Sequence, residues 1–190
     1  MNGAKRIIEK NFEQLVEVVS KKEAVLKEVE LAAKNISSAL ENKNKIMFCG
    51  NGGSASDSNH WAAELVNKYQ KDRPPLAGIS LVSNSSNLTA IANDYSFEYV
   101  FSKQVEAIGK EGDVLVAIST SGESKNILNA ISIAKNKGIF TILFTGDKKT
   151  TASENSDLVI AVPSSETPRI QELHLLIFHS ICEILESELF

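Results

Sequence analysis

From Ile8 to Leu40 apolar residues return at helical spacing, at Ile8, Phe12, Leu15, Val19, Leu26, Val29, Ala33, Ile36 and Leu40. That period is expected of an amphipathic helix, so one or two long helices precede the first strand. Such a stripe packs on its own domain or forms a subunit interface. From Ile46 onward the pattern becomes an alternation of strand and helix. Strands are predicted at Ile46 to Cys49, Ala77 to Val82, Val114 to Ser119, Thr141 to Thr145 and Leu158 to Val162. Their β-branched, nearly continuous apolar character suits parallel strands covered on both faces. Helices are predicted at Ser56 to Tyr69, at Leu88 to Ala92 with Glu98 to Ile108, at Lys125 to Asn136, and from Arg169 to Glu188.

This order predicts a doubly wound α/β fold, a three-layer αβα sandwich with a five-stranded parallel sheet. No repeat and no domain linker interrupts it, so residues 1–190 read as one domain, with 1–43 as an N-terminal helical segment. In such folds ligands bind at the carboxyl ends of the strands. Two polar loops fall there.

The first is Gly50-Asn51-Gly52-Gly53-Ser54, a glycine-rich turn between strand and helix that brings backbone N–H groups close to a ligand. The second, Ser119-Thr120-Ser121-Gly122-Glu123-Ser124, combines hydroxyls, a glycine and the free N–H groups of a helix N-terminus. Those donors converge, and the helix dipole favours an anion, so a phosphate monoester fits the second loop. The plainer role for the same residues is capping by Ser124 and hydroxyls that satisfy the loop backbone. Neither loop has the Gly-Lys-Ser/Thr ending of a nucleotide P-loop or the Gly-x-Gly-x-x-Gly dinucleotide fingerprint. A sugar phosphate fits better than ATP or NAD.

Charge and composition narrow the classes. The 190 residues are 43% hydrophobic and 23% charged with a formal charge of −4, an ordinary globular composition. With no Lys/Arg-rich block and only 6% aromatic residues, nucleic acid is not the expected partner. No apolar run approaches the roughly 18 residues of a membrane span, and Met1 to Arg6 is followed by no signal-peptide apolar region, so a cytoplasmic location is expected. Cys49 and Cys182 are too few for a disulfide scaffold or a thiolate zinc site and read as buried, reduced thiols.

His60 and Glu64 project from one helix face, as i and i+4 positions do. Alone such a pair is an ordinary surface hydrogen bond, but here it follows a ligand-binding glycine loop. On the last helix Gln171 and His179 differ by about 80° around the axis, whereas His174 lies about 140° from His179, so Gln171 and His179 share a face and His174 does not. About 12 Å still separates their backbones along the axis. If both side chains converge, His60, Glu64, Gln171 and His179 make a mixed N/O metal site, with zinc the leading candidate. Otherwise His179 is a satisfied histidine on a buried helix.

The run Gly50-Asn51-Gly52-Gly53-Ser54-x-x-Asp57-x-x-His60-x-x-x-Glu64-Leu65, then Ala92-Asn93-Asp94, Ser119-Thr120-Ser121-Gly122-x-Ser124, and Arg169-Ile170-Gln171-Glu172-x-His174 with His179, resembles the sedoheptulose-7-phosphate (phosphoheptose) isomerases of the sugar isomerase (SIS) superfamily. The resemblance covers essentially the whole chain and implies an SIS fold. It also implies conversion of sedoheptulose 7-phosphate to D-glycero-D-manno-heptose 7-phosphate for lipopolysaccharide or capsule heptose, in cytoplasmic homotetramers with one zinc per subunit and active sites between subunits. By that resemblance His60, Glu64, Gln171 and His179 map to the zinc ligands. Asn51, Gly52, Gly53, Ser54, Asn93, Asp94, Ser119, Thr120, Ser121, Ser124, Glu64 and Gln171 map to substrate-binding positions. An aldose–ketose interconversion requires a base, an acid and stabilisation of oxyanion charge, and the residues expected to act are Glu64 as the base and His179 as its acid/base partner.

Three positions depart from the family pattern: Lys68 where many members carry Arg, Pro168 where some have Asp, and Gly146-Asp147-Lys148-Lys149-Thr150 in place of a glycine-rich loop. Non-catalytic SIS relatives that bind the replication initiator share both loops but lack the histidine and glutamate of the first helix. A sugar-phosphate-sensing regulator would carry an attached DNA-binding segment, for which the sequence offers no candidate.

Overall fold

The apolar run at Ile46 becomes β1 (Ile46–Gly50), the second strand of a five-stranded, all-parallel sheet. The computed structural model describes residues 2–190. Two helices come first, α1 (Asn2–Ser20) and α2 (Leu26–Glu41), separated by a single 3-10 turn at Lys22–Ala24. After β1 the chain runs through α3 (Gly53–Val66), β2 (Gly78–Ser80), α4 (Ser85–Asp94), a 3-10 turn at Phe97–Tyr99, α5 (Ser102–Ile108) and β3 (Val114–Ile118). It closes with α6 (Lys125–Asn136), β4 (Phe140–Thr145), α7 (Thr151–Asn155), β5 (Leu158–Ala161) and α8 (Thr167–Leu189).

The strand order is β2-β1-β3-β4-β5. From β1 the chain first builds outward to β2 and then crosses to β3 on the other side, so the order reverses between β1 and β3. Gly50 pairs with Ile118 at their carboxyl ends, and the loops after these two strands therefore leave the sheet side by side. This is the switch point at which open α/β sheets bind ligands.

Successive residues of a strand point to opposite faces, and both faces here are covered. Ile46, Phe48, Val116, Ile118 and Phe144 join one core with Ile36 of α2, Trp61 of α3 and Phe178 and Ile181 of α8. Met47, Cys49, Leu115, Ala117 and Leu143 join the other with Val105 of α5 and Ile127 and Ile131 of α6. On the first face Trp61 and Phe178 stack with centroids 4.3 Å apart and 6° between planes, and Phe48 meets Phe178 edge-on at 5.4 Å. Such pairs contribute about 0.5–1.5 kcal/mol each beyond the area they bury. Their sequence neighbours are His60 and His179, so packing of the core sets the approach of α3 to α8.

The expected three-layer sandwich and its five strands are present, with corrections at the ends of elements. Helix α3 starts at Gly53 rather than Ser56, because Gly52 takes φ +56° and turns the chain directly into the helix, which places Ser54 in its buried first turn. It ends at Val66 rather than Tyr69, where Arg73 takes over the Glu64 and Leu65 carbonyls. Strand β2 is three residues long rather than six, since a turn closed by Ser83 N–H on the Ser80 carbonyl pulls the chain off the sheet edge. The helix expected from Glu98 begins as the 3-10 turn and becomes α-helical only at Ser102. Helix α7 was not expected; at five residues it is too short to show a period, and a capping box between Thr150 and Ser153 holds it. Among the described residues no helix is long and apolar enough to cross a membrane.

Candidate active site

Side by side at the switch point, the two loops enclose a groove of about 310 Å³. Asn51, Gly52, Gly53 and Ser54 line it from the glycine turn. Ser119, Thr120, Ser121 and Ser124 line it from the turn after β3, and Thr167 and Gln171 from α8. Asn51 and Asn126 exchange reciprocal amide hydrogen bonds of 2.9 Å, which fixes the spacing between the loops. At Gly53 a Cβ would collide with the Gln171 side-chain amide, so glycine there lets α8 come in against the start of α3.

Donors in the second loop are partly committed. The Gly122 N–H donates to Ser119 Oγ at 3.1 Å and the Glu123 N–H to Ser121 Oγ at 3.3 Å, as backbone-satisfying hydroxyls do. Ser124 occupies the N-cap position of α6 but makes no side-chain capping bond, which leaves its hydroxyl facing the groove. Gly122 has φ +64° and lies against Thr150, and the Thr151 N–H donates to Glu123 Oε1 at 2.9 Å, so the segment 146–150 is fastened to this loop. Pro168, in the first turn of α8, occupies a position where a missing N–H costs no helix bond.

Two turns beyond Gly53 on α3, His60 Nε2 lies 2.8 Å from Glu64 Oε1. The His179 ring on α8 meets the His60 ring edge-on with centroids 5.3 Å apart. One ligand atom from each of His60, Glu64 and His179 falls within 4.8 Å of the others, a constellation that could hold a metal ion. His179 Nε2 is buried without a hydrogen-bond partner, the state of a nitrogen kept for a ligand. Gln171 stands on the groove side of α8 with its amide against Gly53. His174 turns away as expected: it is fully buried, and its Nε2–H donates to the Thr145 carbonyl at 3.1 Å. Burial lowers its pKa to about 4, only partly opposed by that bond, so it is a neutral core histidine. Asn93 and Asp94, at the end of α4, are exposed, bond to each other at 2.9 Å and do not line the groove. Lys68 is exposed with its ammonium 4.0 Å from Asp72. Cys49 and Cys182 are buried and unpaired, and burial pushes both thiols up to about 12.

Several residues around the site carried no periodic signal in the sequence. Asp57 lies one turn before His60; burial raises its carboxyl against the opposing influence of His60, and its Oδ2 is buried without a partner. Arg73 and Glu186 form a buried ion pair, with side chains 1% and 3% exposed. Arg73 donates from Nη2 to the Glu64 carbonyl at 2.8 Å, from Nη1 to the Leu65 carbonyl at 3.0 Å and from Nε to Glu186 at 2.9 Å. Glu186 also accepts the N–H groups of Tyr69, Gln70 and Lys71. Burial alone would raise this carboxyl, but the three N–H groups and Arg73 outweigh it and hold the pKa near about 2. A larger cavity of about 460 Å³ lies between Tyr99, Lys103 and Ile133, on the other face of the sheet and away from both loops.

Residues 9–146 match the SIS domain family model. Phosphoheptose isomerase of Aliarcobacter butzleri is 46% identical over 97% of this chain and 98% of its own, and that of Campylobacter concisus is 45% identical over 96% and 97%. The chain belongs to the phosphoheptose isomerase family of SIS domain proteins. The solved phosphoheptose isomerases of Francisella tularensis and Neisseria gonorrhoeae superpose with TM-scores of 0.94 and 0.91 at 35% and 37% identity, each covering 97% of this chain and 99% of theirs. Membership extends from α1 to α8, so the two loops and the His60, Glu64, His179 cluster lie within the shared fold.

Proposed function

We propose that this phosphosugar isomerase interconverts sedoheptulose 7-phosphate and D-glycero-D-manno-heptose 7-phosphate through an enediol(ate), supplying heptose for lipopolysaccharide or capsule in the cytoplasm. The observation that carries the reading is the meeting of His60 and Glu64 from α3 with His179 from α8, on the two helices that also line a groove of hydroxyl and amide donors. In the ketose-to-aldose direction Glu64 takes a proton from C1 while the C2 oxygen gains one. The C1 hydroxyl then gives up its proton as C2 is reprotonated. One Glu64 oxygen is available to take the carbon-bound proton when the other is held within the His60, Glu64, His179 cluster. His179 shuttles the proton between the two oxygens.

His60, Glu64 and His179, joined by Gln171, are the residues that would hold zinc; nitrogen and oxygen donors of this kind and the unpartnered His179 Nε2 fit that ion. When bound it supplies Lewis-acid polarisation of the sugar carbonyl. Asn51, Gly52, Gly53 and Ser54 hold the sugar end, and Ser119, Thr120, Ser121 and Ser124 take the phosphate. Asn93 and Asp94 reach substrate from a neighbouring subunit in a homotetramer assembled through residues 1–43, where Ile8, Phe12 and Val16 of α1 are exposed.

Purified protein incubated with sedoheptulose 7-phosphate should yield the aldose, and prior chelation should stop it until zinc is restored. Absence of product under every metal condition overturns the proposal. Glu64→Gln should lose at least about a hundredfold in kcat, the range of acid–base contributions, with its unfolding midpoint unchanged.

A further inference from the structure

A metal-binding histidine ordinarily donates its second ring nitrogen to a carboxylate or carbonyl, which sets the orientation of the ring. Among the described residues no hydrogen bond holds the His179 imidazole; its Nε2 is buried and unpartnered. The ring is instead held between two others. His60 meets it edge-on at 5.3 Å, and Tyr69 covers it at 5.2 Å with 32° between planes.

Tyr69 lies beyond the end of α3 and has no helix to fix it. Its N–H donates to Glu186 Oε1 at 2.9 Å, and the next two residues bond to Oε2 of the same carboxylate, Gln70 at 2.9 Å and Lys71 at 2.7 Å. Glu186 lies two turns after His179 on α8. Its ion-pair partner Arg73 reaches back to the main-chain carbonyl of Glu64. One buried ion pair thus ties the backbone of Glu64 to the segment that carries Tyr69, from the same helix that carries His179. A buried pair of this kind is weak evidence for stability as such, because desolvation offsets much of the attraction. Its bonds all go to segments that adjoin the ligand cluster.

We propose that Tyr69, held by the Glu186–Arg73 pair, is a positioning residue that orients the His179 imidazole toward His60 and Glu64 by ring packing. It acts through the aromatic face; the phenol hydroxyl is not needed. This inference rests on the proposed metal and acid/base roles of His179.

The test compares Tyr69→Leu with Tyr69→Phe in the full-length protein, reading zinc affinity by calorimetry, kcat and KM with sedoheptulose 7-phosphate, and the melting temperature of the metal-free protein. Tyr69→Leu should weaken zinc about tenfold or more, the usual effect of removing a group that orients a ligand, and should lower kcat about as much, with KM and the metal-free melting temperature nearly unchanged. Tyr69→Phe should match wild type in every readout. Glu186→Gln, which keeps the shape of the clamp but weakens its bonds, should shift zinc affinity in the same direction as Tyr69→Leu. Wild-type zinc affinity and kcat in Tyr69→Leu would overturn the inference, as would a Tyr69→Phe variant as impaired as Tyr69→Leu. If the wild type binds zinc but does not isomerise the sugar, the functional proposal fails and zinc affinity alone decides on Tyr69. If it isomerises without zinc, kcat decides.

Discussion

His174 and His179 lie five residues apart on one helix, and their surroundings give them opposite characters. His174 is enclosed against Phe144, bonds the Thr145 carbonyl and stays neutral, whereas His179 has no such bond and lies against His60 and Glu64 in the ligand cluster. The His174 pKa falls from 6.5 to about 4 on folding, so between those values the unfolded chain binds more protons than the native one. Stability therefore drops as pH is lowered through that window, by roughly 2–3 kcal/mol for this residue. Urea unfolding from pH 7 to pH 4 should show the loss, and His174→Gln should flatten it. At Gly53 the limiting quantity is space: Gly53→Ala should displace Gln171 and raise KM while α3 still forms, which steady-state kinetics and circular dichroism would separate. His60 and Glu64 were legible in the sequence because one helical period joins them. Tyr69, Arg73 and Glu186 were not, since their meeting depends on a loop folding back onto α8, which no local period records.

Elements were legible to the extent that their own side chains specify them. Lys125–Asn136 is helical over the span its apolar spacing indicates, and the β-branched runs at Val114 and Leu158 are strands. Boundaries set by a single backbone torsion or by a partner far along the chain were not, as with Gly52 at the start of α3 and Arg73 at its end. Between α3 and α8 the link that matters is the Trp61–Phe178 stack. Phe178→Ala should destabilise the protein by about 3–5 kcal/mol, as loss of a buried ring does, and denaturant titration would measure it. The same variant should weaken the proposed zinc binding, because the stack sets how closely α8 carries His179 to His60.

At the level of the whole molecule the sheet has a helical layer on each face, and α1 leaves much of its apolar stripe uncovered. Ile8, Phe12 and Val16 are 56%, 68% and 68% exposed. Arg169 Nη1 donates to the Asn11 carbonyl at 2.6 Å, which fastens this helix to the start of α8. In the proposed homotetramer, Phe12→Glu with Val16→Glu should reduce the sedimenting mass without unfolding the α/β core, and activity should fall with it if neighbouring subunits complete each site. An unchanged mass would remove α1 from the interface. Topology was legible because parallel strands separated by helices leave few alternatives, and with it the placing of both loops at the strand ends. The latch across that switch point, Asn51 with Asn126, consists of two amides, and neither gains or loses a proton in the working range. This latch is therefore blind to acidity, so the Asn51–Asn126 contact itself adds no limb to a rate–pH curve.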